Sequence, residues 1–272
     1  MFFDKLNKAR GVKMKNLPFL FLLSILLLFL PLRGETELNL SLTTLNPLYA
    51  DINSTPVGGY IRLFLKRNLD YLDIRGSYTR GSSDIKSQSK MEFSIQVERV
   101  LWRKLVVNWN YSQWREAENL FVYYVFNKTR SEILSKKWKE AIVGLGLGVR
   151  LGEYRKSFFS AVGNFGYTWV NKITDLKLLD KRFKNNLIGT PVLGMNLKTR
   201  LELKTFWFDF EGDYNYLLKD KESRARFVLG IGARIAKQVG IKGNVFESYI
   251  GNRKGLRYTG VAVGVVVFLG EV

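Results

Sequence analysis

The sequence predicts an all-β chain, a closed antiparallel up-and-down transmembrane β-barrel of about twelve strands, with ten or fourteen as the neighbouring even counts. Three observations predict it. Apolar and polar residues alternate with period two through much of residues 37–269, the pattern of a strand whose two faces meet different surroundings. Several alternating segments run for ten to twelve residues. A tilted strand needs about 9–11 to cross a bilayer, while a globular strand averages about five or six. The chain also opens on an export-type leader and holds no Cys, so its stability has to come from a hydrogen-bonded network rather than from disulfides.

The leader comes first in the chain. Residues 18–32, PFLFLLSILLLFLPL, carry no charge; Lys5, Lys8, Arg10, Lys13 and Lys15 precede them and Arg33-Gly34-Glu35 follows. A basic region, an apolar region and a small residue at the exit make a cleavable signal peptide. The competing reading is a membrane anchor, but the fifteen uncharged residues rise only about 22 Å as a helix, short of the ~30 Å hydrocarbon core. The expected organisation is a signal peptide at 1–34 and a barrel at 35–272, exported to the bacterial outer membrane. Residues 1–33 hold six basic residues and one acidic, so the formal charge of +19 falls only to +14 when they are removed.

In chain order the alternating segments are 37–43, 58–66, 71–80, 90–101, 104–114, 119–128, 140–151, 157–170, 192–203, 206–218, 224–236, 239–249 and 256–269. The clearest has Ala141, Val143, Leu145, Leu147, Val149 and Leu151 on one face against Ile142, Gly144, Gly146, Gly148 and Arg150 on the other. Tight turns at 152–156, 204–205 and 237–238 fall on one side, and longer connections at 171–191 and 250–255 on the other. Thirteen segments conflict with the even strand number of bacterial single-chain barrels. Counting forward from residue 37 gives the opposite parity by 129–139, so one segment before residue 140 is misread. A soluble sandwich or lipocalin-like barrel alternates too, with its apolar face inward. The membrane reading turns that face to lipid, and Trp102, Trp109, Trp114, Tyr154, Trp169, Tyr214, Tyr216 and Tyr258, near segment ends, fit interfacial girdles.

One hairpin can be predicted residue by residue. If Lys204-Thr205 is a two-residue turn, Arg200 lies opposite Asp209 and Lys198 opposite Glu211 on the polar face. Leu201 then meets Phe208, and Met195 meets Tyr214, on the apolar face. Opposite charges facing each other in this way contribute about 0.2–1 kcal/mol per pair. A slip of one residue would turn the charges into lipid, at ~2–4 kcal/mol for each Lys or Arg at mid-bilayer. Lys-Thr is a weak turn dipeptide, so a register two residues away stays open.

Composition excludes several chemistries. With no His and no Cys, thiolate or imidazole metal sites, a Cys nucleophile and a His general base are impossible. Outer-membrane barrel enzymes of the protease, phospholipase, deacylase and palmitoyltransferase kinds depend on a histidine, so those activities are excluded as well. The carboxylates Asp209, Glu211 and Asp213 read as lumen charges balanced by cations rather than as an acid–base pair. No catalytic residue, cofactor site or metal site is expected. The lumen-facing charges are expected to be Arg150, Lys198, Arg200, Asp209, Glu211, Asp213, Arg226 and Arg234. Basic loops are expected at Lys136, Lys137, Lys139 and at Lys181, Arg182, Lys184. The basic excess then has three explanations: rim contacts with phosphorylated lipid head groups, an electropositive lumen, or simple hydration of exposed loops. Nucleic acid is not an expected partner, because an exported chain without a nucleic-acid-binding signature gives it no support.

The stretch 119–169 resembles the salt-stress-induced outer-membrane barrel family of unknown function. The residues carrying the likeness are Tyr123-Tyr124, Arg130-Ser131-Glu132, Gly144–Gly148 with Leu151, and Gly163-Asn164-Phe165-Gly166-Tyr167. The likeness covers about a fifth of the chain, and its motifs are structural, so it implies the fold and carries over no catalytic residue. The expected role is structural or small-solute permeability, with anions as one possible solute. The alternative is a surface-exposed binding protein whose basic loops engage anionic lipid or host polyanions, and a third reading is a soluble periplasmic β-protein. Expected partners are outer-membrane lipid and, during biogenesis, the barrel assembly machinery. The barrel is expected to be a monomer.

Overall fold

The computed structural model describes residues 35–45, 56–67, 70–82, 86–124, 129–153, 156–219, 221–250 and 256–269. The signal-peptide reading of 1–34 lies outside them, as does Tyr154, and nothing is described of the Tyr258 side chain. Twelve strands follow one another: β1 Glu35–Leu45, β2 Val57–Arg67, β3 Asp70–Ser82, β4 Lys86–Trp102, β5 Leu105–Tyr124, β6 Thr129–Glu153, β7 Ser157–Leu176, β8 Lys181–Glu202, β9 Phe206–Leu217, β10 Glu222–Ala236, β11 Val239–Ile250 and β12 Leu256–Leu269. Each pairs antiparallel with its sequence neighbours, and β1 pairs with β12 to close the sheet. Closure leaves no edge strand, which a barrel in lipid requires.

The sidedness is that of a membrane barrel. Leu145 and Leu147 are each 63% exposed, and Leu42, Leu229, Ile231, Val263 and Phe165 also face outward. Arg62, Asp73, Lys198, Arg200 and Glu211 are buried inside. Apolar residues therefore cover the outside and charges fill the middle, the inverse of a soluble β-protein. Trp102, Trp169 and Tyr214 are exposed on the outer surface, where girdle residues belong. Trp114 departs from that expectation. It points into the lumen, with its ring stacked on Trp138 at 5.8 Å and the Lys90 ammonium 4.7 Å from its centroid.

The predicted hairpin register holds. Arg200 pairs with Asp209, Lys198 with Glu211, Leu201 with Phe208 and Met195 with Tyr214. The Leu203 N–H donates to the Phe206 carbonyl at 2.8 Å across the turn.

Two expectations are corrected. The segments read at 104–114 and 119–128 belong to the single strand β5, Leu105–Tyr124, with 125–128 outside the described residues, and this restores an even count of twelve. The tracts 129–139 and 171–191, read as connections, lie mostly within β6, β7 and β8; a short 3₁₀ turn at Lys177–Leu179 and its cap Asp180 separate β7 from β8. The physical reason is shared. Beyond the bilayer both strand faces meet water, so Arg115-Glu116-Ala117-Glu118 and Lys136–Lys139 continue the sheet without apolar alternation. The basic residues expected in loops, Lys136, Lys137, Lys139, Lys181, Arg182 and Lys184, accordingly stand on strands.

Candidate functional site: the filled lumen

The inner face of the strands builds three layers, starting at the end of the tight turns. The first is aromatic. Trp207 on β9 is 0% exposed and meets Phe268 of β12 edge to face at 5.5 Å, with Val266 beside them. Room for the indole comes from Gly232, where a Cβ would fall 2.1 Å from the Trp207 ring. Phe64, Tyr71 and Phe158 form the adjoining cluster. The Tyr71 hydroxyl donates to Glu98 at 2.7 Å, the Ser160 hydroxyl donates to the same carboxylate at 3.2 Å, and Arg150 lies 3.6 Å from its other oxygen. The Arg150 guanidinium also sits over the Tyr71 ring at 5.3 Å.

The second layer is a crosslinked set of ions. Arg62 on β2 grips Asp73 through two hydrogen bonds of 2.9 Å and reaches Glu211 on β9 at 2.8 Å. Arg75 on β3 bridges the same two carboxylates. Lys198 on β8 completes the group, 3.1 Å from Asp73 and bonded to Gln96. A second group has Arg200 between Glu37 at 2.8 Å, Glu202 at 2.7 Å and Asp209 at 3.7 Å, with Lys242 on Asp209 and Arg234 on Glu202. These contacts tie β1, β2 and β3 to β8 and β9 through the interior rather than along the sheet. Each carboxylate faces at least one cation, as burial of charge demands.

The third layer is hollow. A cavity of about 190 Å³ lies toward the opposite end, lined among others by Tyr60, Glu92, Asn110, Trp114, Arg224 and Arg226. Lys90 and Arg226 flank Glu92 at 2.7 and 3.4 Å, and Arg224 contacts Glu140 and Glu222. The inner face of β6 is thin here: a Cβ on Gly144 or Gly146 would strike the side chains of Asn110 or Asn164, which hydrogen-bond each other at 3.1 Å. The alternating glycines therefore let side chains of β5 and β7 meet over the inner face of β6. Among the described residues no group of three or more carboxylates is placed to hold a metal ion.

The structure places all eight sequence-predicted lumen charges on the inner face. Lys198, Arg200, Asp209 and Glu211 enter the ion layer, Arg150 and Arg234 lie beside the aromatic layer, and Asp213 and Arg226 line the cavity. Of the six basic positions, Lys136 leans toward Glu118 at 3.9 Å and Arg182 pairs with Asp175 at 3.2 Å. Sequence reasoning missed Arg62, Asp73, Arg75, Glu98 and Lys242. The signal for two of them, Asp73 and Arg75, was the odd-numbered row Tyr71, Asp73, Arg75, Ser77 and Thr79, and the apolar Phe64 and Tyr71 at its tight-turn end blurred the polar face.

This architecture matches known membrane proteins by structure alone. The translocator domain of the autotransporter NalP from Neisseria meningitidis superposes with a TM-score of 0.53 at 13% identity, over 86% of this chain and 88% of that one. The fold is that of an outer-membrane barrel. An outer membrane channel from Pseudomonas putida F1 aligns at a TM-score of 0.45 and 10% identity, over 87% of this chain and 95% of that one. No family model matches the sequence, and no curated protein matches it.

Proposed function

We propose that this chain is a non-enzymatic, exported outer-membrane barrel that admits small polar solutes through a lumen normally shut by its own ion pairs. The observation that carries this reading is the group Arg62, Asp73, Arg75, Lys198 and Glu211, lying in the lumen between the polar cavity and the aromatic layer. A barrel needing only a rigid filling is served at least as well by apolar side chains, because buried ion pairs give little net stability over them. Multiply bridged charges can instead exchange partners, so a path can open without any ion losing its counter-charge. Barrels of this size are filled or narrow, and wide aqueous channels belong to about 16–18 strands. Cations and carboxylates alternate along this lumen, so it offers no single-signed lining and only a weak preference for anions.

By the same reading the tight turns face the periplasm and the cavity opens outward. Residues 1–34 direct export and are removed, and the barrel is inserted as a monomer by the barrel assembly machinery. The glycine rows of β6 and β7 support the likeness to the salt-stress-induced barrels. Single-channel recording in planar bilayers tests the proposal. Wild-type protein is expected to show rare, small openings, and the double variant Arg75→Ala/Glu211→Ala, which removes a bridging cation and a bridging carboxylate together, to conduct steadily. A correctly folded double variant as silent as wild type would refute the permeability role.

A further inference from the structure

A second feature lies on the outer face, away from the lumen. Along β6 the outward residues from Leu151 to Ala141 are apolar. At ~3.3 Å per residue and a tilt near 40° this run rises about 25 Å, the height of the apolar band of a membrane barrel. Trp169, paired with Ala141 on β7, marks the boundary as an interfacial aromatic. The next outward positions on β6 are Lys139 and Lys137, both exposed. Lys139 pairs directly with Arg115 on β5, and Lys137 is separated from Lys184 on β8 only by Ile173 of β7. Four cations thus form a band immediately above the lipid-facing surface, on one side of the barrel.

None of the four has a carboxylate partner among the described residues. The acidic residue nearest them on that face, Asp175, is held by Arg182 at 3.2 Å. Like charges placed opposite each other across a strand pair, as Arg115 and Lys139 are, repel and destabilise the sheet unless an anion lies between them. Depth decides which anion. These side chains stand at head-group level on a wall that lipid surrounds, where each cation attracts anionic lipid.

We infer that Arg115, Lys137, Lys139 and Lys184 form a binding site for the phosphate groups of membrane lipids packed against β5–β8. The test uses the full-length protein in phosphatidylcholine nanodiscs containing phosphatidic acid, with native mass spectrometry of the retained lipid. Wild type is expected to keep phosphatidic acid in preference to phosphatidylcholine, and the variant R115Q/K137Q/K139Q/K184Q to lose at least about tenfold of that preference. A control at the tight-turn end, K104Q/K156Q, is expected to behave as wild type. Heat-modifiable gel mobility checks folding, and if the fourfold variant does not fold, the single variants Lys137→Gln and Lys184→Gln, each lowering retention severalfold, decide the matter. Unchanged retention in the folded variants, or an equal loss in the control, overturns the site. Complete displacement of lipid by millimolar inorganic phosphate also overturns it, since the band would then bind free anions.

Discussion

The two sides of the barrel differ in height, and the difference separates what lipid imposes from what water permits. Strands β5, β6, β7 and β8 hold 20, 25, 20 and 22 residues, whereas β1, β2, β9 and β11 hold 11 or 12. At the same rise and tilt the longest stands roughly 60 Å tall and the shortest roughly 30 Å. The short side ends near the bilayer surface, with Tyr214, Tyr249 and Tyr78 exposed on its outer face. The tall side continues past it with Lys, Arg and Glu on both faces. In the bilayer the sheet has an obligatory outside and inside; above it only strand pairing remains.

The largest effect that would break this contrast comes from the lumen. Asp73→Ala leaves Arg62, Arg75 and Lys198 around an empty position and is expected to cost about 3–5 kcal/mol, measured as the urea midpoint of refolding into vesicles. A loss below ~1 kcal/mol would show that the ion layer is as hydrated as the extensions. Next is the outer face: Leu145→Arg is expected to cost ~2–4 kcal/mol, while Ile173→Arg, on the same face above the apolar band, is expected to cost no more than about 1 kcal/mol, from repulsion by Lys137 and Lys184 across the strand pairs. Equal costs would mean the band is set at the wrong height. Smaller again is Gly232→Ala, whose methyl group must displace the Trp207 ring, at about 1–3 kcal/mol. Loss of the blue-shifted tryptophan emission should accompany it.

The same contrast explains what the sequence made legible. Leu193 to Leu203 and Phe206 to Tyr216 alternate without interruption, and the register inferred from them, with Lys198 against Glu211, is the one observed. The tract Arg115–Glu118 defeated the reading because nothing outside the bilayer forces a residue to be apolar, so one strand was divided into two. Strand count was therefore recoverable only as a parity argument. Within the site, charges on strands with clean alternation, such as Arg200 and Glu211, were visible. Arg62 and Asp73 were not, because aromatic residues share their inner face and because two of their partners, Glu211 for Arg62 and Lys198 for Asp73, come from strands more than a hundred positions away. A local pattern holds no record of such pairings.

Phe268, on the strand that seals the cylinder against β1, turns inward onto Trp207, and Glu37 on β1 reaches Arg200 across the interior. The two strands that meet at the seam thus each bring a piece of the filling. Until they join, the tryptophan lacks its cover and the arginine one of its carboxylates. Sealing the wall and stoppering the bore are consequently a single cooperative event, and an unsealed intermediate would leak.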